Sequence, residues 1–174
     1  MQIKQQALTH QIQKNIAPLY VLVGQDNYLI EESLNTIKAF IKSKYECDEK
    51  MISIQSVEDW NTVYEESNSY SLFSETTLLN IFYDKKTIDA SGKKMLTTYL
   101  NAVNSRCFII IRAPNVPAKQ LLWLSNNNQA LVVVAYPLSA DAMKNWICSR
   151  FKFYSLNTST EVNELIYQYT QGNM

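Results

Sequence analysis

Leu19-Tyr20-Val21-Leu22-Val23-Gly24-Gln25-Asp26 is the stretch on which the fold turns. An unbroken apolar run of this length suits a strand covered on both faces, as in a parallel sheet. Gly24 turns the chain, and Asp26 is placed to cap a helix. Ile30, Leu34, Ile37 and Ile41 follow at helical spacing, a stripe that must be buried, in a helix running to about Lys44. Strand, glycine turn and helix in that order form the place of a phosphate loop. The motif G-x-x-x-x-G-K-[ST] needs a second glycine to free backbone amides, a lysine on the phosphates and a hydroxyl on magnesium. After Gly24 this chain offers Leu29, Ile30 and Glu31 at those places. A carboxylate such as Glu31 would repel a triphosphate. The position is topologically a nucleotide site and chemically a disabled one, so no cofactor is expected.

Working outward, four more strands read from the sequence: Met51-Ile52-Ser53-Ile54-Gln55, Thr77 to Tyr83, Cys107 to Ile111, and Leu131 to Ala135. Helical patterns separate them. One carries Trp60, Val63 and Tyr64 after a capping-box-like Ser56-Val57-Glu58-Asp59. Another carries Met95, Leu96, Tyr99, Leu100 and Val103, and a third Leu121, Leu122 and Leu124 behind Pro117. The expectation is a three-layer α/β domain over residues 1–136, with a mainly parallel five-stranded sheet. Residues 3–14 read as an amphipathic helix over one edge, and residues 84–94 as a surface loop around Ser91-Gly92. Beyond Tyr136-Pro137 the pattern turns purely helical. Met143, Trp146, Ile147 and Phe151 form one stripe; Val162, Leu165, Ile166 and Tyr169 form another. Two such helices bury their stripes poorly alone. Residues 137–174 are therefore expected to open a helical domain that is incomplete here, and the chain to be a fragment.

Composition narrows the function. Sixteen basic residues balance sixteen acidic ones, so no electrostatic footprint for strong unaided nucleic-acid binding is present. No apolar run approaches a membrane span, and the N-terminus lacks a signal-peptide core, so no membrane is expected. Cys47, Cys107 and Cys148 are scattered and odd in number, as free thiols of a reduced, cytoplasmic setting would be. No paired carboxylates, nucleophile elbow or metal-ligand spacing suggests catalysis, and no metal site is expected. His10, the only histidine, falls on a polar helix face. Asp84 at a strand end, followed by Lys85, reads as a turn residue. Arg112 and Asn115 read as structural, because a phosphate-sensing role needs a phosphate.

One stretch remains unabsorbed: Ser69-Tyr70-Ser71-Leu72-Phe73-Ser74-Glu75, between a helix ending near Asn68 and the strand from Thr77. Small polar residues surround Tyr70, Leu72 and Phe73, so the local pattern commits none of them to a core stripe. Either the Leu-Phe pair folds back and closes the core, or it projects as an anchor for a partner.

Taken together, Leu19 to Asp26 with Glu31-Glu32-Ser33, then Asp59-Trp60-Asn61, then Ser71-Leu72-Phe73 and the apolar third strand resemble the delta subunits of the bacterial DNA polymerase III clamp loader. The resemblance covers essentially the whole chain and rests on the order and spacing of these pieces. It implies an AAA+-like domain without a working phosphate loop (Gly24, Leu29, Ile30, Glu31), followed by part of a three-helix lid, with a C-terminal collar absent. It implies a non-catalytic subunit of a DNA-directed DNA polymerase holoenzyme that binds and opens the sliding clamp (beta subunit). Leu72 and Phe73 would enter an apolar pocket of the clamp, with Tyr70 at a further contact position. Partners would be gamma/tau and delta-prime through the collar, with DNA touched weakly in the assembled loader. Those relatives carry cysteine-ligated zinc modules that the three cysteines here cannot supply. The competing expectation is a nucleic-acid-binding or structural adaptor of AAA+ type without clamp-opening activity.

Overall fold

The structure is a computed structural model and describes residues 1–69 and 74–170. The central run forms strand β2 (Leu19–Gly24), buried from Leu19 to Val23. It is followed by α2 (Asn27–Lys42), which Asp26 caps by accepting the Leu29 N–H at 3.0 Å. The remaining strands are β1 (Gln2–Lys4), β3 (Cys47–Ile54), β4 (Thr76–Tyr83), β5 (Cys107–Arg112) and β6 (Ala130–Ala135). They join in one sheet of six strands in the order β1-β6-β2-β5-β4-β3, every pairing parallel.

Side-chain alternation along the strands sorts the residues into two faces. Leu19, Val21 and Val23 share a core with Leu79, Ile81, Ile109, Ile111 and Val132. Trp60 and Val63 of α3 (Asp59–Asn68), Met95, Leu96 and Tyr99 of α4 (Ala90–Asn101), and Leu124 of α5 (Leu122–Ser125) complete it. Tyr20 and Leu22 fall on the opposite face, with the buried stripe of α2 and with Leu8 and Ile12 of α1 (Leu8–Lys14). Three layers result, as expected.

The details correct the sequence reading at several points. The sheet has six strands, not five, because Gln2–Lys4 is not helix: Ile3 pairs in parallel with Val133 of β6. A three-residue strand is too short to show an alternation, and its partner is remote in sequence. Helix α1 is correspondingly short. Strand β3 begins at Cys47, where the charged Asp48-Glu49-Lys50 hides strand character. Such charge on an edge strand is a recognised guard against further pairing. Ser91-Gly92 lies inside α4, capped by Asp89, which accepts the Gly92 N–H at 2.8 Å. A Cβ at Gly92 would sit 2.6 Å from Cε2 and Cζ2 of Trp60, so the glycine makes room for the indole. After Pro117 the chain makes a 3₁₀ turn over Ala118–Leu121 before the single α-turn of α5.

By compactness the chain divides after Tyr136. The second unit holds α6 (Ala140–Phe153) and α7 (Thr160–Thr170), joined by a Lys144–Glu164 ion pair at 2.6 Å. Ser155 takes a left-handed conformation (φ 57°), and the Leu156 N–H donates to the Phe151 carbonyl at 2.8 Å, ending α6 in a Schellman-type cap. No residue of α7 is buried.

Candidate functional site

Ligands of open parallel sheets collect outside the carboxyl ends of the strands, where the strand order reverses. Here that place is the end of β2, between β5 and β6. The crevice holds two open cavities. One, of about 330 Å³, lies between Gly24-Gln25 and the Pro114–Lys119 segment, with Val134 and Tyr136 beside it. The other, of about 360 Å³, is lined by Asn27, Ile30, Glu31, Phe82, Asp84, Arg112, Pro114 and Asn115.

The residues of the expected phosphate loop are each accounted for by packing. Gly24 has φ +138°, and a Cβ there would collide with the Ala135 carbonyl of β6. Leu29 and Ile30 are buried in the core. Glu31 Oε1 accepts a hydrogen bond from Arg112 Nη1 at 2.7 Å in an ion pair that ties α2 to the end of β5. The Arg112 guanidinium also lies over the Phe82 ring, 5.4 Å from its centroid. Asn115 Nδ2 donates to Asp84 Oδ1 at 2.7 Å and to the Asp84 carbonyl at 2.9 Å, which ties the end of β4 to the loop after β5. Arg112 and Asn115 are thus structural partners of acidic groups. Sequence reading assigned them a structural role but not these partners, which lie 81 and 31 residues away. No local signal announces such pairs. A phosphate entering the second cavity would face the carboxylates of Glu31 and Asp84, with the one guanidinium there already engaged.

The α3 side of the sheet is built differently, from the carboxyl end of β3, where α3 begins, to the amino end of β4, where it ends. Helix α3 is anchored at its start by Asp59, whose carboxylate accepts the Ser56 and Gln55 N–H groups at 2.7 and 2.8 Å. These bonds hold its carboxyl below the usual range. Near its end, Glu66 accepts from Lys50 Nζ of the edge strand at 2.6 Å. Lys50 holds the Glu66 carboxyl below its ordinary value, and Glu66 raises Lys50 in return. On the other face of β3, Glu49 pairs with Lys38 and with Lys42 of α2. Burial opposes its charge, but the hydrogen bonds from Lys38, Lys42 and Asn80 prevail and lower its carboxyl.

The passage from α3 to β4 is fixed on both sides. Ser69 Oγ donates to the Glu66 carbonyl at 3.0 Å. Ser74 Oγ accepts the Asp48 N–H at 2.9 Å and donates to the Thr76 carbonyl at 2.9 Å. The residues between, including Tyr70, Leu72 and Phe73, lie outside the described residues. Among the described residues, no group of three His, Cys, Asp or Glu side chains is placed to hold a metal ion. No described helix is long and apolar enough to cross a membrane.

Comparison with known proteins bears on this geometry. The sequence profile of the family described as DNA polymerase III, delta subunit, matches residues 20–136. The DNA polymerase III subunit delta of Escherichia coli is 20% identical over 170 residues, covering 96% of this chain and 50% of that protein. The corresponding subunit of Buchnera aphidicola is 24% identical, covering 95% of this chain and 50% of that protein. The chain thus spans about half the length of the curated relatives it matches. Among solved structures, the DNA clamp loader delta protein of Bacillus subtilis superposes with a TM-score of 0.62 at 13% identity, covering 93% of this chain and 50% of that one. A RuvB protein of Thermotoga maritima does so at 0.53 with 12% identity, covering 96% of this chain and 54% of that one. These structural likenesses speak to the fold alone.

Proposed function

The chain belongs to the DNA polymerase III delta-subunit family, and from that premise we propose that it binds and opens the sliding clamp within a clamp loader, through Leu72 and Phe73. The observation that carries the proposal is the fixed frame around those residues. Ser69 donates its one hydroxyl hydrogen to Glu66, and Ser74 accepts the Asp48 N–H and donates to the Thr76 carbonyl, at the amino end of the sheet. Burying on the order of 200 Å² of Leu and Phe surface contributes roughly 5 kcal/mol before ordering costs. A ligand shifts the clamp towards opening only by that part of its energy that favours the open form. Tyr70 would add a flanking contact.

In this reading the domain is an AAA+-like scaffold without ATPase activity. Arg112 is engaged by Glu31, and Leu29 and Ile30 serve the core, so nucleotide use would fall to gamma/tau subunits. Residues beyond Tyr136 would belong to the helical lid. Assembly with gamma/tau and delta-prime would run through a collar outside this chain, in the cytoplasm, with DNA touched only weakly in the assembled loader.

The test is a titration of the protein against its cognate clamp, beside the double variant Leu72→Ala with Phe73→Ala. Binding by the parent and at least a hundredfold weaker binding by the variant are expected, as for a hot-spot pair, with an unchanged thermal midpoint. Equal affinity of the two proteins would remove the assignment. The adaptor alternative predicts no clamp binding by either.

A further inference from the structure

We draw no further inference here: the strongest candidate, the apolar stripe of Val162, Leu165 and Tyr169 left exposed along α7, carries nothing, because nothing in the structure shows what covers it.

Discussion

The two ends of the parallel sheet have been finished in opposite ways. At the carboxyl end, charged side chains that could meet a ligand are spent on one another: Glu31 on Arg112, Asp84 on Asn115, and Asp26 on the first turn of α2. At the amino end, ion pairs and serine hydrogen bonds hold the frame around the α3–β4 passage and stop there. Most charged groups of the carboxyl-end crevice are paired with one another, although Arg112 Nε is buried there without a hydrogen-bond partner among the described residues. Unspent apolar surface has most to gain from a partner. On the proposed reading, Leu72 and Phe73 would meet the partner from between α3 and β4 in the chain, and not from the turn after β2 where the fold would hold a nucleotide.

The sharpest way to break the contrast is the double alanine change at Leu72 and Phe73, expected to act on clamp affinity and not on stability. Its mirror image is Gly24→Ala. Left-handed backbone and collision with the Ala135 carbonyl should cost roughly 3 kcal/mol of stability. Urea denaturation measures this, and a cost below about 1 kcal/mol would mean that the β2–β6 approach relaxes easily. A smaller effect is expected for Glu31→Ala. The pair it breaks is half exposed on the glutamate side, so no more than about 1 kcal/mol should be lost. Clamp affinity should be unchanged, and a marked fall in it would show that the carboxyl end takes part after all.

The smallest effect concerns acid. Glu49 and Glu66 both have folded values below the ordinary 4.5. Their contribution to stability is therefore complete above that value and is lost as the pH falls through the lower folded values. Thermal midpoints should hold steady near neutrality and decline below pH 4.5. Glu49→Gln should make that decline shallower. A variant whose acid limb matches the parent's would show that the β3–α2 pairs do not couple to folding.

Much of the scaffold could be read locally because burial imposes periods. The apolar run of β2 and the four-three-four stripe of α2 reflect a strand covered on both faces and a helix covered on one. Asp26 was legible as a cap because capping is a short-range bond. Where polar or small residues serve a distant partner, the reading failed. Gln2–Lys4 becomes a strand only because Val132–Val134 is there to receive it. Gly92 looks like loop until the Trp60 indole lies against it. The candidate site divides the same way: the failed phosphate motif was visible in Leu29, Ile30 and Glu31, whereas the hold of Glu31 on Arg112 was not.

Sequence alone determined the layered α/β class, the order of its main strands and helices, and the place of the Leu-Phe pair between α3 and β4. These follow from hydrophobic period and short-range hydrogen bonding, which neighbouring residues dictate. Only the tertiary structure decided the sixth strand and the pairing of Glu31 with Arg112 and of Asp84 with Asn115. Each depends on groups remote in the chain meeting in space, and a side chain carries no local mark of a partner that only the fold supplies.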